Sequence, residues 1–412
     1  MAHPTTEPPS TEPDELSSAS GKGALLGAMF LMATSAIGPG FIAQTTEFTA
    51  ELGAAFAFAI LLSVLVDIAV QLNVWRVIGV SGMRAQDLAN RVVPGFGYVL
   101  AGLVVFGGLV FNIGNIGGTG LGVNAMIGAD ARVGGAISAL VAIAIFLSKR
   151  AGVAMDRIVV VLGALMIVMI AVAAVTTDPP YGDALKQTVA PDTVDVLIIT
   201  TLIGGTVGGY ITYAGAHRLI DSGIKGPGQV AQISRGSVIG ILVTAVMRGL
   251  LFLAVLGVVA GGTKLVSDNK PAEAFQHALG DAGLHLFGVI LWAASITSVI
   301  GASYTSVSFL TTFSAGLSKH RNAVVVAFIA ISGLVYVALG KSPSTLLILA
   351  GALNGLILPF GLGILVWVAL WRRDLLGGYA YPKWLALIGV AAWALTVYLG
   401  WESLSGIADL WK

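Results

Sequence analysis

The chain has 412 residues, 56% of them hydrophobic and 10% charged, with a mean hydropathy of +0.91 and a formal net charge of +1. So much apolar material points to the bilayer as solvent, and the near-neutral balance excludes a basic surface for nucleic acid. Cysteine is absent, which excludes disulfides, thiolate metal sites and cysteine nucleophiles, and the five histidines form no HExxH-type pair.

Residues 1–22 form a Pro/Ser/Thr/Glu-rich tail, expected to be disordered and cytoplasmic, without the basic start and apolar core of a signal peptide. From residue 23 to the C-terminus, apolar segments of bilayer-spanning length recur. Eleven are expected, at about 24–50, 52–78, 95–127, 132–148, 153–176, 195–220, 235–261, 284–314, 322–339, 344–371 and 382–402. Polar connections such as SGMRAQDLANR and TTDPPYGDALKQTVAPD separate them. With the N-terminus inside, fifteen Lys and Arg fall in inner segments and six in outer ones, leaving Arg248 within a span. That asymmetry predicts a multi-pass protein of the cell's inner (plasma) membrane with a cytoplasmic N-terminus.

The first span, SAIGPGFIAQTTEF, stops reading as helix at Gly38-Pro39-Gly40. The sixth is interrupted along Gly204-Gly205-Thr206-Val207-Gly208-Gly209-Tyr210. The two breaks are five spans apart, as expected for inverted repeats of helices 1–5 (about 23–176) and 6–10 (about 195–371) plus an extra helix at 382–402. Paired discontinuous helices point to a transporter's midplane site, because unwound backbone is tolerated in a bilayer only where it lines a cavity or is buried in protein. The competing reading is packing, since 54 glycines will cluster by chance.

LGAMFLMATSAIGPGF resembles the first helix of the natural resistance-associated macrophage protein (NRAMP) transporters, where a Gly start (here Gly27) precedes a D-P-G-N break by eleven residues. FNIGNIGGTGLGVNAMIG (Phe111 to Gly128) looks like the family's third helix, and LLILAGALNGLILPFG (Leu346 to Gly361) its tenth. The resemblance implies an all-α membrane fold, a LeuT-like bundle of eleven helices with a 5+5 inverted repeat and discontinuous helices 1 and 6.

The family's metal ligands do not carry over. The Asp and Asn of its helix-one break fall at Gly38 and Phe41. The Met of its helix-six motif falls at Gly208, with Tyr210 in place of the histidine. Its helix-three acidic pair, linked to proton movement, falls at Asn112 and Asn115, and its helix-ten glutamine at Gly351. A divalent transition ion needs anionic or soft donors, so such a site is expected to bind Mn²⁺ or Fe²⁺ poorly. Glycine in three of these places is expected to enlarge the cavity for a larger molecule.

Arg248, mid-span in ILVTAVMRGLLFLAV, is the opposite kind of change. An intramembrane Arg is a functional-site hypothesis by default, here a bidentate partner for an anionic substrate. The alternative is a structural pair with Asp67, Glu47 or Glu51. Half-helix N-termini at Phe41–Thr45 and Gly209–Thr212 would aim N–H groups at the same carboxylate. Gly40, Gln44, Thr45 and Asn354 join the expected lining, although Gln44, Thr45 and Thr46 could equally cap the restarted helix. Ser303 and Thr305 of SYTSVS are candidates for a coupling-ion site, or back-bond to their own helix. Glu47, Glu51 and Asp67 are candidates for coupling. His217 is one too, though a solvated pair with Arg218 is the simpler expectation for it.

The expected function is therefore a symporter-type secondary transporter working by alternating access, moving a small organic anion or amino-acid derivative with H⁺ or Na⁺, without a cofactor or resident metal. Similar bacterial sequences are associated with gene clusters for 5-oxoproline breakdown, which makes a 5-oxoproline-like carboxylate the specific guess. The alternative is a divalent-metal transporter with an altered site. No nucleotide loop or nucleophile–base pair suggests an enzyme, and a sensor or channel explains the paired breaks less well.

Overall fold

The computed structural model describes residues 37–411; the N-terminal tail and the first half of the first expected span lie outside the described residues. Within them all regular structure is helical. Helix α1 is Pro39–Leu52, and a 3-10 turn at Gly53–Ala55 joins it to α2, Phe56–Ser81. There follow α3 (Ala85–Val92), α4 (Phe96–Ile127), α5 (Ala131–Leu147), α6 (Lys149–Thr176), α7 (Tyr181–Val189), α8 (Val196–Val207) and α9 (Ile211–Asp221). The chain continues through α10 (Val230–Ala260), α11 (Lys270–Thr311), α12 (Ala315–Lys319), α13 (Arg321–Leu339), α14 (Pro343–Trp371), α15 (Lys383–Glu402) and α16 (Leu404–Trp411).

Eight of the described helices are long and apolar enough to cross a membrane, or nine if the pair Val160–Thr176 and Tyr181–Val189, bent by 106°, is one span. The sequence led to an expectation of eleven, and the difference has physical causes. Pro39–Ser81 is counted once, yet its 43 residues correspond to ~65 Å of helix, about twice the apolar thickness of a bilayer. It is interrupted at Gly53, whose φ of 54° suits glycine alone. The apolar α5 has only 17 residues, short of the ~20 a full crossing takes.

Capping chemistry sets several starts. Asp195 accepts the Ile198 N–H at 2.9 Å to open α8, and Asp130 does the same for Val133 at α5. Pro39, Pro271 and Pro343 occupy first helical turns, where a missing N–H is harmless. Outward-facing positions carry exposed Leu140, Val161, Leu334 and Leu387, as expected where the surroundings are lipid.

The site is positioned by small residues on α4. A Cβ on Gly118 would lie 2.3 Å from the Pro39 Cβ, and one on Gly122 2.6 Å from the Trp292 backbone nitrogen. Glycine there lets the start of α1 and the middle of α11 close onto α4, the small-residue packing that membrane bundles rely on. On the opposite side, Trp75 of α2 fills the notch left by Gly215 of α9, where a Cβ would come within 2.0 Å of the ring.

Candidate functional site

The helix that follows the expected first break starts where the sequence predicts it, and the segment before it lies outside the described residues. Gly38 is the extended N-cap of α1 (φ −97°, ψ −172°), no side chain caps it, and Pro39 starts the helix. Gln44, Thr45 and Thr46 therefore do not cap the restart. A Cβ on Gly38 would meet the Ser298 Oγ at 3.1 Å and the Asn115 Oδ1 at 3.9 Å. The Tyr210 hydroxyl lies beside the Asn115 side chain, and its ring meets Phe111 edge-on at 5.8 Å. Gly38, Asn115, Ser298 and Tyr210 thus gather from four separate elements. All of them are neutral. Apart from the Tyr210 hydroxyl, the Asn115 Nδ2 meets no hydrogen-bond acceptor.

The second break is narrower than expected. Gly204 to Val207 remain helical, and only Gly208, Gly209 and Tyr210 leave the helix, with Gly209 at φ 53°. This break is close-packed. A Cβ on Gly204 would sit 2.0 Å from the Gly351 carbonyl oxygen, and one on Gly208 2.8 Å from that of Asn354. The Asn354 Oδ1 occupies the space a Gly209 side chain would need, 1.8 Å from such a Cβ, while its Nδ2 donates to the Gly107 and Ala350 carbonyls at 3.1 and 2.8 Å.

The expected enlargement at Gly208 and Gly351 is corrected here, because backbone and neighbouring amides take the space. At Gly351 the occupant is Gln44. Its Nε2 would lie 2.4 Å from a Gly351 Cβ, and its Oε1 2.5 Å from one on Gly205. That Nε2 donates to the Leu347 carbonyl at 3.3 Å, and the Oε1 has no partner. Gly40, by contrast, has only ordinary contacts, with Leu347 at 3.7 Å and Gln44 at 3.9 Å.

Arg248 on α10 is 2% exposed, and its guanidinium lies over the Phe41 ring, 4.5 Å from the centroid, a cation–π contact on the first turn after the α1 break. Its Nε and Nη2 have no hydrogen-bond partner. Asp67 on α2 is 1% exposed, feels the Arg248 charge, and lies beside the Thr206 hydroxyl just before the second break. Its Oδ1 also has no partner. The described residues form ion pairs at Arg84–Asp221, Lys270–Glu47 and Arg372–Asp374; Asp67 and Arg248 are neighbours but are not joined in this way. Pairing of Arg248 with Glu47 or Glu51 is thus corrected: Glu47 is engaged by Lys270, and Glu51 lies with Lys264 and Lys270 along a separate surface hollow, which leaves Asp67 as the acidic neighbour of Arg248.

Other expected residues lie elsewhere. Asn112 donates to Ser303 at 3.0 Å and Ser332 at 3.1 Å, tying α4 to α11 and α13. Ser303 itself donates to the Val299 carbonyl at 2.7 Å, and Thr45 to that of Phe41 at 2.7 Å, the local back-bonding that competes with ligand roles. Thr305 is buried on α11. The solvated His217–Arg218 pair is also corrected: His217 is 5% exposed, stacks on Tyr213 and Phe309, and its Nε2 accepts the Ala85 N–H at 3.3 Å. Ser298 escaped the sequence reading, although Ser295, Thr297 and Ser298 form a hydroxyl run one turn before the SYTSVS segment. A hollow of about 810 Å³ opens among Asp130, Arg132, Asp268, Glu273 and Lys341; the break residues do not line it.

Comparison with known proteins agrees with this architecture. Residues 29–405 match the family described as Natural resistance-associated macrophage protein-like. An uncharacterized membrane protein of Bacillus subtilis, YcsG, is 50% identical over 94% of this chain and 96% of its own length. Another from Haemophilus influenzae is 52% identical over 89% and 92%. Among solved structures, a manganese transporter of Eremococcus coleocola superposes with a TM-score of 0.77 at 14% identity, covering 96% of this chain and 89% of that one. Mhp1, a nucleobase-cation-symport-1 family transporter, gives 0.55 at 14% identity, over 93% and 92%. The broken helices and the match over most of its length lead to one conclusion: the chain is a multi-pass membrane protein of the NRAMP family, built on the LeuT-like transporter fold.

Proposed function

We propose that this NRAMP-family secondary transporter moves a small organic anion or amino-acid derivative, of which a 5-oxoproline-like carboxylate is an example, by alternating access about the two breaks. The observation that carries the reading is Arg248: a buried guanidinium beside the α1 break with two nitrogens lacking partners. A carboxylate would satisfy both N–H groups bidentately, and each group left unpaired costs about 1–3 kcal/mol. The neutral lining at Gly38, Asn115, Ser298 and Tyr210 supports the same reading, because it offers hydrogen bonds but no anionic or soft donor to strip a transition ion of its water. Among the described residues no three His, Cys, Asp or Glu side chains come together to hold a metal ion.

The repeat division at about 23–176 and 195–371, with an extra helix at 382–402, belongs to this proposal. So does a plasma-membrane orientation with the N-terminus cytoplasmic, supported by the Lys/Arg asymmetry. The second reading, a divalent-metal transporter, is favoured by the fold shared with a manganese transporter. A thermal-shift screen of the purified protein against small carboxylates and divalent metals separates the two. Stabilisation by a carboxylate that disappears in Arg248→Ala is expected. Stabilisation by Mn²⁺ alone, or full carboxylate stabilisation of the variant, would return the protein to the metal reading or make Arg248 structural.

A further inference from the structure

Asp67 has no place in the proposed substrate contacts, yet it is the buried acid that faces the buried base. It projects from α2 toward Thr206 of α8 and the Arg248 charge of α10. The other elements packed against α2 bring no second charge to it. His217 of α9 is held against Ala85 and Phe309. Asp183 and Lys186 of α7, Arg218 and Asp221 of α9, Lys383 and Glu402 of α15 and Glu51 of α1 are exposed, Glu47 of α1 is paired with Lys270, and α14 has no ionisable side chain. One positive and one negative group are therefore enclosed together, each with an unpartnered polar atom, and each is adjacent to a different break: Arg248 to the first through Phe41, Asp67 to the second through Thr206.

We propose that Asp67 is the proton-binding site that couples this transporter. The inference rests on the carboxylate reading of the Arg248 site. In the empty protein the Asp67 carboxylate balances the guanidinium. When a substrate carboxylate engages Arg248, the enclosed charge becomes one negative in excess, and a proton taken up on an Asp67 oxygen restores neutrality. Isolated charge is strongly disfavoured away from water, so anion binding at Arg248 and proton binding at Asp67 favour each other, and by linkage the effect is reciprocal. Coupling is one proton per carboxylate. Because Thr206 precedes Gly208 by two residues, loss of charge at Asp67 also alters the contact at the edge of the second break, which ties protonation to that break.

The test uses the full-length protein and 5-oxoproline as probe, with affinity measured as a function of pH. Wild type is expected to bind about tenfold more tightly for each unit fall in pH on the alkaline side. Asp67→Asn is expected to bind the probe with no such slope. Calorimetry of wild type in buffers of different ionisation enthalpy gives the proton count without any variant, and one proton taken up per probe bound is expected. An unchanged slope in Asp67→Asn, or no proton uptake, overturns the inference while leaving the carboxylate site standing. Failure of 5-oxoproline and of the other carboxylates in the screen to bind wild type overturns both.

Discussion

The two breaks look alike in sequence and differ in what their glycines do. At the first, a Cβ on Gly38 would meet side-chain atoms first, the Ser298 Oγ at 3.1 Å and the Asn115 Oδ1 at 3.9 Å among them, and the nearby Arg248 has unused donors. At the second, Gly204 and Gly208 lie so close to α14 that its backbone and Asn354 occupy the volume a side chain would take. A missing side chain faces movable side-chain atoms in one place and fixed backbone in the other. In the proposed reading the first break carries the ligand chemistry, while the second packs α8 closely against α14.

Four substitutions probe the two breaks and their surroundings. Gly204→Leu should cost at least about 3 kcal/mol, the upper range for overpacking, since even its Cβ has no space beside Gly351; the thermal midpoint of the purified protein reads it. An unchanged midpoint would mean the crossing is looser than described. Gly38→Asp should weaken carboxylate binding by at least about tenfold, because it sets a like charge facing the ligand, and isothermal titration of the folded variant reads the loss. Tighter binding would remove the first break from the site. Glu47→Gln should lower stability by less than about 1 kcal/mol, as for a partly exposed ion pair, and leave the pH slope of binding unchanged. A lost slope would move coupling from Asp67 to Glu47.

The smallest effect lies outside the spans. Burial holds the Asp87 carboxyl of α3 above its usual range, with Arg84 and Arg91 partly offsetting it. The folded protein then binds this proton more tightly than the unfolded chain, so the associated stability is present at low pH and lost as pH rises through the folded value. Asp87→Asn should be slightly more stable than wild type at neutral pH, with the difference closing as pH falls through the carboxylate range. A difference that widens on acidification would mean that Asp87 is stabilised as an anion.

How much of this was legible in the sequence depended on whether the signal was local. The breaks were readable because Pro39 and Gly208–Gly209 punctuate apolar runs, and Arg248 was readable because a charge within a span has few explanations. Partnership was not. Asn112 and Asn115 lie three residues apart on α4, yet one ties α11 to α13 and the other faces Gly38. Ser298 gives no more local signal than any membrane hydroxyl that bonds its own helix. His217 reads as an interfacial residue until α9 is packed against Ala85 and Phe309. Whether a glycine opens a cavity depends on a helix from another part of the chain, as Gly351 and Gln44 demonstrate.

In the proposed function, Arg248 recognises a carboxylate on a fold shared with a manganese transporter. Uptake of radiolabelled 5-oxoproline and of Mn²⁺ into proteoliposomes, for wild type and Arg248→Ala, tests it most directly. Saturable carboxylate uptake by wild type is expected, reduced at least about 30-fold in the variant, as befits the loss of a buried charge partner worth about 2–5 kcal/mol, with Mn²⁺ uptake at background. Saturable Mn²⁺ uptake that is indifferent to carboxylates and survives Arg248→Ala would contradict it.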